Sequence, residues 1–245
     1  MNTNSCLLQI GTVEVLVVRK PIRNLHLAVL PPDGTVRVSS PLHLMDDAIR
    51  TLIATRIPWI RTQRAKFEAQ ARQTPREYIS GESHFVLGKQ YRLEIIHGDQ
   101  PPHVTLKGKN KIILQVRQNS TLMKREAVLM DWYRRELKEI SAELLETWQK
   151  KIGVQVGAWG IKRMKTRWGT CNQNARRIWL NLELVKKPFP CIEYVIVHEL
   201  LHLIEKKHNE HFVVLLTKHL PKWRSLKEEL NRLMLAHEKW GSCGY

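Results

Sequence analysis

Cysteine is scarce: Cys6, Cys171, Cys191 and Cys243 are the only four among 245 residues. No two stand at CxxC spacing, which argues against a cysteine-built zinc ribbon or a disulfide-stapled secreted fold and makes a reducing cytoplasm the simplest compartment. Long apolar runs are absent as well. Nothing approaches the about eighteen consecutive apolar residues of a membrane-spanning helix, so no membrane partner is expected. The apolar start from Leu7 to Val18 is broken by Gln9 and Glu14 and has no basic segment before it, so it reads as a strand and not a secretion signal. Low-complexity linkers, a repeat of fixed period and blocks of about five or more like charges are also missing. A flexible tether, a solenoid and a charged tail are thereby disfavoured.

Positive charge is plentiful. Forty Lys and Arg stand against 23 Asp and Glu, a formal net charge of +17. A surface this basic attracts polyanions with an affinity that falls as salt rises, so non-specific nucleic acid is one expected partner. The composition, 43% hydrophobic and 26% charged, is that of a globular protein, and the length suits one large domain or two small ones.

Short alternating runs at Thr12–Val18, Leu25–Leu30 and Val36–Ser39 predict strands, with a turn at Pro31-Pro-Asp-Gly34. Asp46 and Asp47 start a helix through Ile49, Leu52 and Ile53, and Pro58 opens a second at Trp59. Further strands are expected at Phe85–Ile96 with a break at Gly88, at Val104–Lys107 and at Lys111–Val116. From Asn119 or Ser120 the period changes to that of a long amphipathic helix ending at Gly153. Val154–Trp159 and Ile178–Leu184 then read as a strand pair around a loop holding Arg167–Cys171. Helices follow Pro190, run from about Asn209 to His219, and from Pro221 to about His237. The fold class is α+β. A β-rich N-terminal part, residues 1–118, packs on a helical C-terminal part with a small sheet, residues 119–245, as one compact body.

The chemistry concentrates at residues 198–208, His-Glu-Leu-Leu-His-Leu-Ile-Glu-Lys-Lys-His. At about 100° per residue, His198 and His202 differ by about 40° around a helix and present their rings side by side, with Glu199 bordering them. This is the HExxH pattern, in which two imidazoles share a metal ion and the carboxylate works on a water at an open position. Ile192, Ile196, Val197, Leu200, Leu203 and Ile204 cover most of the helix circumference, so the helix is buried on nearly all sides. Core histidines bonded to carbonyls are the plain alternative, but an unpaired buried carboxylate costs several kcal/mol, which a bound metal and water would relieve. His208 is the candidate third ligand. A straight helix would carry it about 9 Å beyond His202, so the chain must bend where metzincin proteases have glycine and this chain has Glu205. Glu228, Glu229 and His211 are the other candidates.

These residues, with Lys165-Thr-Arg-Trp-Gly-Thr-Cys171, Trp179-Leu-Asn-Leu-Glu183, Tyr194-Val-Ile-Val-His-Glu-Leu-Leu-His202, His208-Asn-Glu-His-Phe212 and the upstream Ser80-Gly-Glu-Ser-His84 and Leu87-Gly-Lys-Gln-Tyr91, resemble the YgjP-like zinc metallopeptidases, often described together with the SprT family. The resemblance extends over most of the chain and departs at Thr170, where the family usually has serine. It implies a zincin-like C-terminal part, a Zn²⁺ ion held by His198, His202 and His208, and the Arg167–Cys171 loop beside the active site. Arg167 and Trp168 read either as a clamp at the cleft or as a buried ion pair and a core aromatic. The expected activity is hydrolysis of peptide bonds by a zinc-activated water with Glu199 as general base. Arg167, Tyr194 and His211 are the candidate oxyanion donors, and the strand at Ile178–Leu184 is the expected pairing edge for an extended peptide or protein substrate. The competing expectation is a nucleic-acid-associated basic protein whose protease site acts on DNA- or RNA-bound proteins or is vestigial.

Overall fold

The computed structural model describes residues 5–30, 34–68, 76–164 and 167–232. Two compact units are present, Met1–Thr74 and Pro75–Tyr245. Residues 75–118, read above with the β-rich front, lie in the second unit.

In the first unit, β1 (Ser5–Ile10) and β2 (Val13–Lys20) form a hairpin, so the apolar start is two strands turned at Gly11–Thr12 and not one. With β3 (His26–Leu30) and β4 (Thr35–Pro41) they make a sheet in the order β1-β2-β4-β3, with β2 and β4 parallel and the other pairs antiparallel. Alternation aims Val15, Val17, Val36 and Val38 at one face, where they are fully buried with Ile49, Ile53 and Ile60 of α1 (Asp46–Glu68). One helix stands where two were expected. Pro58 lies inside it, and the apolar face shared by Ile53 before the proline and Ile60 after it holds both halves to one sheet, outweighing the roughly 3 kcal/mol that an interior proline costs.

The second unit opens with β5 (Ser83–Val86), β6 (Lys89–His97), β7 (His103–Lys107) and β8 (Lys111–Val116). Their order is β5-β6-β8-β7, with β6 and β8 parallel. Order, strand senses and following helix repeat those of the first unit, and the buried Val36, Val38 and Ser40 correspond to Ile112, Leu114 and Val116. No sequence repeat announces this, because only the alternation is shared. The helix α2 (Leu122–Ile152) starts at Thr121, whose hydroxyl accepts from the Lys124 amide, and stops at Gly153. Its buried side chains share one core with β5–β8 and with the elements that follow.

A second, small sheet comprises β9 (Ala158–Lys162), β10 (Gly169–Asn172) and β11 (Arg177–Asn181), in the order β10-β11-β9. The segment read as a loop around Arg167–Cys171 thus contains a strand. The strand expected to offer a pairing edge is central: β11 pairs with β10 on one side and β9 on the other, and its predicted last residues form a 3₁₀ turn, Leu182–Lys186. The edges of this sheet are β10 and β9. The helices α3 (Phe189–Leu201), α4 (Glu210–His219) and α5 (Trp223–Arg232) complete the unit, and α3 packs against α2, α4, α5 and β10. The predicted end of the last helix, with His237, lies outside the described residues, as does Cys243. Among the described residues no helix is long and apolar enough to cross a membrane.

Candidate metal centre

The start of α3 is fixed from outside the helix. The β5–β6 turn docks on the 3₁₀ turn through Leu87 N–H to Val185 C=O (2.8 Å) and Gly88 N–H to Lys186 C=O (3.2 Å). Gly88 has a φ of +81°, and a Cβ there would meet Pro188 Cγ at 2.8 Å, so only glycine lets the turn reach the proline preceding α3. From there Cys191, Ile192 and every residue from Tyr194 to Leu201 are buried.

The far end of α3 makes the bend without glycine. After His202 the bonding tightens, Leu203 to Leu200 and Ile204 to Leu201 at 3.0 Å each, and Glu205 N–H reaches Leu201 C=O at 2.9 Å. The Glu205 carboxylate then accepts from the Lys207 amide at 3.2 Å. None of residues 203–208 has a positive φ, so this side-chain-stabilised turn has no need of the conformation that favours glycine. Asn209 caps α4 through the Phe212 amide at 3.0 Å.

The turn returns His208 to the two helix histidines. One ligand atom from each of His198, His202 and His208 lies within 4.8 Å of the others, the group of potential metal ligands among the described residues. His198 and His208 approach with their Nε2 atoms 3.0 Å apart, close to the about 3.3 Å between nitrogens held 2.0–2.1 Å from one tetrahedral ion. His202 donates from Nδ1 to the Glu205 carbonyl at 3.0 Å, which turns its Nε2 toward the cluster. The Phe212 ring packs on all three imidazoles, with centroids 5.0, 4.8 and 4.8 Å away. Burial lowers the pKa of each histidine, aided by neighbouring positive charge at His198 and His208. Neutral imidazoles are the form that coordinates a metal, so the residues fit one.

Glu199 is 3% exposed. Burial pushes its pKa up to about 8, with the Arg167 guanidinium pulling the other way. Its carboxylate occupies the space beside β10 where a side chain on Gly169 would stand: a Cβ there would lie 2.6 Å from both Glu199 Cγ and Oε1. Asn181, fully buried, ties down the segment preceding β10. Its Nδ2 donates to the Met164 and Arg167 carbonyls (2.9 and 2.8 Å), its Oδ1 accepts from the Met164 and Glu183 amides, and its own N–H reaches Trp168 C=O at 2.8 Å. Neither Gly169 nor Asn181 was singled out from sequence. A polar residue within the apolar Trp179–Leu184 run was the available signal for Asn181.

The remaining candidates separate. Arg167 is exposed, and its charge reaches Glu199. Trp168 is buried, with the Lys187 ammonium 5.1 Å from its ring centroid, which makes it a core aromatic and not a cleft clamp. Tyr194 is buried one turn before His198, with ring centroids 5.8 Å apart. His211 is exposed on the first turn of α4, 3.6 Å from the Glu205 carboxylate. Glu228 and Glu229 lie on α5, outside the histidine group. The Cys171 thiol, raised to about 11 by burial and by Glu199, stays protonated.

A helix bearing two histidines and a glutamate, with a third histidine brought back by a turn, is the arrangement of a metallopeptidase. The family model described as "YgjP-like, metallopeptidase domain" matches residues 23–233, and the chain belongs to this YgjP-like metallopeptidase family. Two solved structures are similar to part of it. The metallopeptidase zymogen of Pyrococcus abyssi abylysin shares 20% identity over 38% of this chain and 92% of that one, with a TM-score of 0.36. The metallopeptidase zymogen of Methanocaldococcus jannaschii jannalysin shares 19% over 41% and 91%, with a TM-score of 0.33. None of the curated proteins matches the chain in sequence.

Proposed function

We propose that this chain is a zinc-dependent peptidase in which His198, His202 and His208 hold one Zn²⁺ and Glu199 is the general base. The convergence of three neutral imidazoles beside a buried carboxylate carries this reading. A set of three nitrogen ligands suits zinc, and the ion supplies Lewis acidity toward a water and the scissile carbonyl. Glu199 takes the water proton and returns it to the leaving amine. Arg167, whose charge already reaches Glu199, is the side chain best placed to stabilise the oxyanion. An extended substrate pairs with the edge of β10, which runs beside α3 and Glu199.

Replacing His208 by Ala tests the ligand set. The variant is expected to lose most of its zinc on dialysis against a weak chelator while the wild type keeps one ion per chain. An unchanged metal-to-protein ratio would move the third ligand elsewhere.

A further inference from the structure

The small sheet has two faces of opposite character. Ile178 and Leu180 are fully buried, and with Trp159 and Ile161 they join the core on the side of α2 and α3. By strand alternation the residues between them point the other way. Arg177 and Trp179 of β11 stand there beside Thr170 and Asn172 of β10 and Gly160 and Lys162 of β9, as the register sets them. We infer that this outer face binds single-stranded nucleic acid: a base stacks on the Trp179 ring, and Lys162 and Arg177 pair with the neighbouring phosphates.

Charge complementarity commits the face to a polyanion. Residues 153–182 contain six Lys and Arg and no Asp or Glu. Of these, Arg163 is paired with Glu126, and Arg176 is bonded to the Gln155 carbonyl. Lys162 and Arg177, both exposed, lie over Trp179 instead, with Nζ 4.9 Å and Cζ 5.9 Å from its ring centroid. Among the described residues neither has a carboxylate partner, so each can turn from the ring to a phosphate without breaking an ion pair. The charge-assisted bond gained is stronger than the exposed cation–π contact given up.

The ring commits the face to bases. Trp179 pairs with Gly160 across the sheet, and a Cβ on Gly160 would lie 2.5 Å from its Cζ3. The partly exposed indole therefore occupies the place of a Gly160 side chain and spreads across β9. Such a ring, with cations beside it, is a platform for a flat base. An acidic peptide offers charge and no ring, and a duplex keeps its bases stacked on one another, so a single strand fits best. Three strands about 4.8 Å apart give room for two or three nucleotides. The inner face of β10 meets Glu199 at Gly169, so this site and the candidate metal centre use opposite faces of one sheet.

The test is fluorescence anisotropy of labelled oligothymidylate and oligouridylate of about twelve nucleotides, titrated with the full chain over a salt series. A duplex of equal length and polyglutamate serve as competitors. Binding at low salt is expected, weakly displaced by either competitor; whichever strand binds more tightly identifies the sugar. Trp179→Leu is expected to weaken binding about tenfold with the salt dependence unchanged, and Trp179→Phe to retain most of the affinity. Arg177→Gln and Lys162→Gln, exposed changes that keep the site testable should Trp179→Leu fail to fold, are each expected to make log K against log salt shallower by about 0.7. Lys109→Gln, on the exposed β7–β8 turn, is expected to leave affinity and slope nearly intact. The site would be overturned by no binding at low salt, by full affinity in folded Trp179→Leu, or by a Lys109→Gln effect equal to that of Arg177→Gln. Displacement by duplex or polyglutamate as effective as by the single strand would also overturn it. None of these readouts depends on the peptidase reading.

Discussion

Glu199 and Gly169 illustrate how the proposed general base is placed by an absence. The carboxylate lies where a β10 side chain would stand, so Gly169→Ala must push either the strand or the carboxylate aside. A displacement near 1 Å can cost about 10²-fold in rate, and that loss in kcat is expected with zinc content unchanged. Wild-type kcat in Gly169→Ala would show that the glycine is incidental. His198, Glu199 and His202 were legible from sequence because helical periodicity alone brings them together. Gly169 was not, since its neighbour is thirty positions away and only the packing of β10 on α3 brings the two into contact.

At the scale of elements, the loop carrying Arg167 depends on Asn181. Removing its amide in Asn181→Ala leaves several backbone groups unpaired, and a loss of about 2–4 kcal/mol is expected in denaturant unfolding. A change under about 0.5 kcal/mol would deny it that role. His84, on β5, gives the second unit a dependence on pH. It is 1% exposed and contacts Glu82 (3.2 Å) and Tyr133 (3.4 Å). Burial first, then Arg76, depresses its pKa from the ordinary 6.5 to about 4. Below pH 6.5 the unfolded chain takes up a proton that the folded one refuses, so the stability this neutral ring contributes is full above pH 6.5. It declines as the pH falls toward about 4 and amounts to roughly 3 kcal/mol. His84→Gln is expected to flatten the stability curve between pH 4 and 6.5, and an unaltered slope would refute the assignment. Most strands and the long helix were legible because apolar period and caps mark them. The single α1 was not, because tertiary packing on both sides of Pro58 outweighs the local proline signal. The bend after α3 was expected from the spacing of His202 and His208, but not the means: Glu205 replaces glycine by side-chain hydrogen bonding, which spacing does not reveal.

At the scale of the molecule the described residues form two cores. One joins β1–β4 with α1; the other joins β5–β8 with α2 and the elements of the candidate metal centre and, among the described residues, contains none of the first unit. Residues 75–245 alone are therefore expected to melt cooperatively and to bind one zinc, as followed by calorimetry and metal analysis. An aggregated or metal-free product would show that residues 1–74 are required. The repeated sheet order escaped the sequence because strand topology constrains which positions are buried and hardly which residues fill them.

The most direct test is hydrolysis of a denatured protein by zinc-loaded wild type and zinc-loaded Glu199→Gln, compared at equal metal content. Cleavage by the first and none by the second is expected, with chelation silencing the wild type. Equal cleavage by both would contradict the assignment of Glu199 as the base.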